Sequence, residues 1–390
     1  MTWNWEQSDW PNFEWDAARL AKAEQQFMVS GGVILGSVAH LEDEVAETLM
    51  VQTITTEALT TSEIEGELLD RDSVQSSIRR EFGLKTDLMR AKPSEEGIAE
   101  LMVDLYKHAD QPLSHEMLYQ WHRHVTKGRS DLREIGSYRT HPEPMQVVSG
   151  KIYDPNVHFQ APPSGQVPEE MDAFITWFNE TSPEGANPLP AVTRAGVTHL
   201  YFVCIHPFED GNGRIARALS EKALAQGLGR ATLTALAATI LTHRTEYYDQ
   251  LELANKKNEV SDWLAWFVGI TLEAQQRTQA WVEFILAKTK LLDRLQGKLN
   301  DRQEKALLRM MREGPDGFKG GLSAGNYQSI TGAPTATATR DLADLVEHGA
   351  LNRTGERKGT RYHLTIPVKP APRVVIEEDG SINQEPILYG

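Results

Sequence analysis

HPFEDGNGRIAR, His206 to Arg217, is the stretch around which this chain is organised. It begins with an imidazole, a group able to exchange a proton near neutral pH. The acidic pair Glu209 and Asp210 follows, then Gly211-Asn212-Gly213, where the glycines let backbone approach a ligand closely. A glycine-rich turn at a helix start offers free N–H groups and the positive end of the helix dipole, which favour an anion. Arg214 and Arg217 lie three apart and share one helix face. Two guanidinium groups suit a polyphosphate, and Asp210 suits the divalent ion that accompanies one. A base, a metal carboxylate, an anion nest and two arginines amount to most of a nucleotide-transfer site.

Three other readings of the stretch are weaker. Gly211-x-Gly213-x-x-Ala216 has the form of a dinucleotide fingerprint, but that must follow a strand and precede an acidic residue about 20 positions on. The residues before it read as helix, and the window ATLTALAATI has no carboxylate. A metal site on His199 and His206 lacks a compact third ligand. A surface turn with incidental charges leaves the whole pattern to chance.

The stretch resembles the signature of the Fic family, HPFx(D/E)GN(G/K)RxxR, without a departure. The resemblance implies a mainly α fold: a Fic-like helical core with a β-hairpin flap, an N-terminal helical region and a C-terminal winged-helix domain. It implies transfer of AMP from ATP to a protein hydroxyl. His206 would be the general base and Asp210 the Mg2+ ligand. Asn212 with the Gly211 and Gly213 backbone would cradle the phosphates, while Arg214 would bind the β-phosphate region and Arg217 the γ-phosphate.

Upstream, TTSEIEGELLD (Thr60 to Asp70) reads as hydroxyls followed by carboxylates, the pattern of a helix start on a solvated acidic face. Thr61-x-x-x-Glu65-Gly66 also resembles the inhibitory motif (S/T)xxxE(G/N) of Fic proteins. There the glutamate engages the second signature arginine, here Arg217, where the γ-phosphate belongs. Downstream, the family places an aromatic against the adenine, which points to Tyr247 or Tyr248. Between the two lies MQVVSGKIYDPNVHFQ, read as a hairpin about Ser149-Gly150. The family uses such a flap to dock its target by strand pairing, here with Val147, Val148 and Ile152; a purely structural hairpin is the alternative.

The 390 residues suggest two or three domains. We divide them into a helical region with the inhibitory motif (1–92), the catalytic domain (93–290), a winged helix-turn-helix (291–366) and a tail (367–390). Four tryptophans, Trp3, Trp5, Trp10 and Trp15, make the N-terminus a strap packed on the body. Residues 16–59 read as helical with a turn at Ser30-Gly31-Gly32, and Lys92-Pro93 as a boundary. AVTRAGVTHLYFVCI (Ala191 to Ile205) reads as a buried central helix, and His199 within it as a hydrogen-bonded core histidine. Residues 301–366 carry ten Lys/Arg against eight Asp/Glu, a local +2 within a chain of net −15. That region reads as helix-turn-helix and a basic wing, with Arg340, Arg357, Lys358 and Arg361 placed for phosphates. DNA is one partner class open to it and protein contacts the other. The Pro-rich, acidic tail reads as partly disordered.

The acidic balance argues against non-specific coating of nucleic acid. The single cysteine, Cys204, excludes an internal disulfide. No apolar run reaches a membrane span, and no basic-plus-apolar leader is present, so a cytoplasmic protein without membrane contact is expected. A homodimer is expected, with ATP and Mg2+ as substrate and cofactor. Two alternatives stand beside the transferase: a de-AMPylase or bifunctional enzyme using Glu65 to activate water, and an ATP-sensing DNA-binding regulator.

Overall fold

The structure, a computed structural model, describes residues 2–39, 41, 43–86, 90–151, 154–230, 234–366 and 371–385. It is mainly helical, as the sequence predicts. The chain divides into two compact units: Met1–Gly36, Glu42–Gln275 and Arg373–Glu385 form the first, and Ser37–Leu41 with Gln276–Pro372 lie in the second.

In the first unit the tryptophan strap is packed down as expected. The Trp5 indole donates to the Gln160 carbonyl (2.6 Å) and that of Trp10 to Glu170 (2.9 Å), while Trp10 meets Tyr201 edge-on. Helix α1 (Ala17–Ala39) runs straight through the glycines read as a turn. A Cβ on Gly31 would lie 2.6 Å from Leu228, so this glycine permits close packing rather than a bend. Helix α2 (Asp43–Ile64) ends where TTSEIEGELLD was read as a beginning. The Thr60 hydroxyl bonds back to the Thr56 carbonyl four residues earlier, and that of Thr61 accepts from Arg217 Nε, instead of capping an N-terminus.

Helices α3 (Arg71–Glu81) and α4 (Pro93–Lys107) follow. Pro93 sits at the first position of α4, where a missing N–H costs nothing. The proline therefore starts a helix inside the first unit. Glu95 ties the two helices together, accepting from Lys92 N and Ser73 Oγ. Helix α5 (His115–Val125) precedes the flap, β1 (Gln146–Lys151) and β2 (Asp154–Gln160). Pairing continues from Gln146↔Gln160 out to Lys151↔Asp154, with a bulge between Val147 and Val148. Ser149 and Gly150 are thus strand residues, not the turn read there, and Ile152 lies outside the described residues.

Helix α6 (Val167–Glu180) leads to α7 (Ala191–Ile205), buried along nearly its whole length, and α8 (Asn212–Leu228) packs along it. Helices α9 (Leu236–Thr242), α10 (Arg244–Ala254) and α11 (Ser261–Leu295) complete the first unit's wall and lead out of it. The segment read as a disordered tail returns as β5 (Arg373–Ile376) and β6 (Ile382–Glu385). Val374 and Ile376 alternate inward into the core, and the turn between the strands carries Asp379-Gly380, with φ +75° at the glycine.

The second unit contains α12 (Asp301–Met311), α13 (Ala324–Thr331), α14 (Thr335–Glu347), β3 (Leu351–Thr354) and β4 (Arg361–Leu364). Gly332 (φ +73°) breaks α13 from α14. Asp341 knits these helices by accepting from Tyr327 Oη and Arg302 Nε, each at 2.9 Å.

Candidate active site

Helix α7 ends on His206, a non-glycine residue in the left-handed region (φ 50°, ψ 59°). Such a backbone costs roughly 1–2 kcal/mol and persists only where surroundings enforce it. The turn carries the half-buried imidazole to the wall of a cavity of about 530 Å³ that is also lined by Gly213, Glu65, Tyr247, Tyr248 and the flap residues Val147, Val148 and Ser149. Nδ1 of His206 faces the Val203 carbonyl at 3.3 Å, which leaves Nε2 free to accept a proton. Burial, and next the Arg139 guanidinium, pull its pKa down to about 4, so the ring is neutral at pH 7.

The loop after His206 is held from inside. Asn212 accepts from Phe208 N (3.0 Å) and donates to Phe208 O (2.8 Å). Its side chain therefore staples the loop. Phe208 is buried and stacks on His122 at 4.1 Å. Gly211 has φ +81°, and a Cβ there would meet Val125 at 2.7 Å, so no other residue type fits without a shift.

The charged residues are already engaged within the chain. Arg217 is 2% exposed; its Nη2 donates to Glu65 Oε1 (2.7 Å) and to the Thr61 carbonyl (2.9 Å), and its Nε to Thr61 Oγ1 (2.7 Å). Arg214 Nη1 donates to Glu67 Oε2 at 2.9 Å. Asp210 accepts from Gly211 N (2.6 Å) and from Arg129. Burial alone would raise the Asp210 carboxyl. The Gly211 N–H and the Arg214 and Arg129 guanidiniums outweigh it and hold the carboxyl below its usual range. Among the described residues, Arg217 Nη1 and Arg214 Nε are buried without a hydrogen-bond acceptor.

Glu65 and Glu67 are presented by one turn. Gly66 has φ +84°; its N–H bonds to the Glu63 carbonyl, and the Glu67 N–H reaches the Ser62 carbonyl. This is the pairing of a Schellman helix end. It aims two carboxylates at two arginines spaced one turn apart on α8. The two tyrosines divide. Tyr247 is buried, its hydroxyl 2.8 Å from His199 Nε2, while Tyr248 is 40% exposed and bonds to the Ile64 carbonyl at 3.3 Å. His199 is the core histidine the sequence predicts, also contacting Ser220. Cys204 is buried and accepts from Asn4.

Sequence reasoning passed over Glu67, Arg129 and Arg139, each of which touches the signature through partners remote in the chain. It also passed over a clasp on the flap: Ser149 Oγ lies 2.6 Å from His158 Nε2, and His158 Nδ1 lies 2.6 Å from Glu252.

Residues 112–224, from just before α5 to within α8, match the Fic/DOC family model. The chain carries a Fic domain. Residues 3–84, which supply the strap and the Gly66 turn, match a domain of unknown function, DUF4172. Over 143 residues the chain is 32% identical to the protein adenylyltransferase fic-1 of Caenorhabditis briggsae, covering 37% of this chain and 24% of that protein. Over 116 residues it is 31% identical to the protein adenylyltransferase Fic of Nematostella vectensis, covering 30% and 25%. The chain thus spans about a quarter of the length of these curated relatives. A Fic domain containing signaling protein from Bacteroides thetaiotaomicron shares the fold with a TM-score of 0.50 at 18% identity, over 69% of this chain and 97% of that one. No described helix is long and apolar enough to cross a membrane.

Proposed function

We propose that this Fic-domain chain is a protein adenylyltransferase that moves AMP from ATP to a Ser, Thr or Tyr hydroxyl, and that its own α2 turn restrains it. The observation that carries this reading is that Glu65 stands directly over Gly213, bonded to Arg217, in the cavity that His206 lines. A carboxylate in that position takes the place of a terminal phosphate. With the turn withdrawn, Arg214 and Arg217 would hold the β- and γ-phosphates by charge-assisted bonds. The start of α8 would face the α-phosphate with backbone N–H groups. His206 Nε2 would take the hydroxyl proton as the oxygen attacks, and the phosphate-binding arginines would retain pyrophosphate as it leaves. The exposed Val147 and Val148, on a strand whose outer edge is unpaired among the described residues, suit a target segment added as a further strand.

Asp210 fits a Mg2+ role: a single carboxylate beside a phosphate cradle is how this ion is held, with substrate oxygens and water completing its shell. The ion would supply neutralisation of phosphate charge. Arg129 would have to yield Asp210 to it.

The Glu65→Gly protein, incubated with labelled ATP, Mg2+ and a cell lysate, should label protein, and His206→Ala in that background should abolish the label. Absence of label from the first protein would remove the reading. For the second unit we propose duplex DNA as partner, because Arg353, Arg357 and Lys358 stand exposed about the β3–β4 turn and Arg340 on the open face of α14. Salt-dependent anisotropy of labelled duplex, weakened by Arg357→Ala with Lys358→Ala, tests it.

A further inference from the structure

Resting on the adenylyltransferase reading, we propose that Arg139 is the residue that positions His206 for proton removal. Helix α7 ends inside the protein, and its last carbonyls have no intrahelical donor. Arg139, 1% exposed, supplies one. Its Nε donates to the His206 carbonyl at 2.8 Å and its Nη2 to that of Ile205 at 3.3 Å. Its own N–H donates to the Pro207 carbonyl at 2.9 Å. Three successive carbonyls, Ile205 to Pro207, are thus held by one residue 67 positions upstream of His206.

The guanidinium is itself anchored. Nη1 donates to Ser164 Oγ (2.8 Å), Nη2 to the Pro162 carbonyl (2.6 Å), and Ser164 Oγ donates on to the His141 carbonyl (2.6 Å). No carboxylate pairs with it among the described residues, so its charge is offset by oriented carbonyls and the helix C-terminus. The left-handed His206 backbone is the strained feature of the site, and Arg139 grips it on both sides. The planar fork matters: a lysine ammonium has no such fixed pair of donors to set against two carbonyls. The cation also acts on the imidazole, disfavouring imidazolium, while Glu65 and Asp210 act the other way. Arg139 touches neither substrate nor the reacting atoms, so its role is positioning.

The test uses the full chain carrying Glu65→Gly, with Arg139→Lys, Arg139→Met and Ser164→Ala added singly. ATP affinity is read by calorimetry, turnover by label transfer, and both across pH. Arg139→Lys should lower kcat by between about tenfold and a hundredfold while ATP affinity stays within about twofold. Arg139→Met should in addition move the acid limb of the kcat profile to higher pH, because losing the cation makes the imidazole easier to protonate. Ser164→Ala, which loosens one anchor without removing charge, should lower kcat severalfold and keeps the question open to decision if both Arg139 variants fail to fold. Unchanged kcat in Arg139→Lys, or in Ser164→Ala where that alone is soluble, overturns the proposal, as does ATP affinity falling in step with kcat. A parent that transfers no label sinks the enzyme reading itself; a parent that transfers, with these variants unaffected, sinks only this one.

Discussion

Glu65 Oε1 lies 2.7 Å from Arg217 Nη2 and stands over Gly213 so closely that a Cβ on that glycine would collide with it. One carboxylate therefore does two things: it occupies the buried arginine and fills the space above the glycine cradle. Thr61 contributes both its hydroxyl and its carbonyl to the same guanidinium, so the motif residues Thr61, Glu65 and Gly66 act as one clasp at the end of α2. Anything that binds the cradle with negative charge must displace that clasp.

Removing the carboxylate should tighten ATP binding. A hydrogen bond to a charged group is worth roughly 1.5–3 kcal/mol net, equivalent to about tenfold to a hundredfold in affinity. Calorimetry on Glu65→Gly against the parent should show a gain in that range. The same variant should melt lower without nucleotide, because Arg217 then lies buried with fewer acceptors, and ATP should restore the melting temperature. Equal ATP affinity in the two proteins would mean that Glu65 is not in the way.

Glu67 is a second, weaker block on the same turn. Its exposure and that of Arg214 (37% and 8%) are close to those of Glu65 and Arg217 (33% and 3%), but the turn holds Arg214 by one hydrogen bond and Arg217 by three. With its carboxylate more than a third exposed, a single ion pair of this kind contributes about 1 kcal/mol. Glu67→Gln alone should improve ATP affinity by no more than about fivefold. Because one turn carries both carboxylates, the double variant should depart from the product of the two single effects, measured as a double-mutant cycle. Strict additivity would show the two contacts to be independent.

The contiguous signature could be read directly because its chemistry needs neighbours in sequence: base, acid, glycines and arginines within a dozen positions. Elements that depend on partners from elsewhere could not. Arg129 meets Asp210 across 81 residues, and Arg139 meets His206 across 67. The hydroxyl-and-acid pattern at Thr60 to Asp70 serves a helix end as well as a start, and only the Gly66 backbone decides which. Gly31 looked like punctuation because its packing partner, Leu228, is invisible locally. The hairpin at 371–385 did carry a signal, alternating Val374 and Ile376 ahead of Asp379-Gly380, which proline-rich and acidic flanks obscured.

Stability should fall as the solution is acidified from about pH 6.5 toward 4. Burial depresses three histidines, His206 and His122 to about 4 and His199 to about 3, so each stays neutral in the fold while its unfolded counterpart protonates near 6.5. Unfolding then takes up protons in this window, and stability rises with pH across it. Glu57 acts oppositely. Buried and capping the start of α9 through Ala237 and Ala238, it is raised to about 7, which costs stability as pH climbs from 4.5 to 7. Burial raises Glu24 and Glu170 as well, though less than it depresses the histidines, so the three large histidine shifts dominate and thermal melts should show the melting temperature increasing from pH 4.5 to 6.5. His199→Gln should flatten that slope; a melting temperature flat or falling with pH would contradict the burial of these rings.

Gly66 offers the sharpest separation of restraint from catalysis, since its substitution leaves Glu65, Glu67, Arg214 and Arg217 all in place. Its φ of +84° lies where an L side chain is strained, yet nothing stands within 4 Å of where a Cβ would be. Gly66→Ala therefore acts through backbone conformation alone, at a cost of roughly 1–2 kcal/mol. The helix end should lose its closing bonds, and Glu65 and Glu67 should leave their arginines although both carboxylates remain. Transfer should rise toward the Glu65→Gly level, while the melting temperature falls by about 2–4 °C per kcal/mol lost. Asparagine tolerates the left-handed region far better, so Gly66→Asn should keep the turn and show neither effect. If Gly66→Ala lowered stability without raising transfer, the carboxylates would be held by something other than this turn.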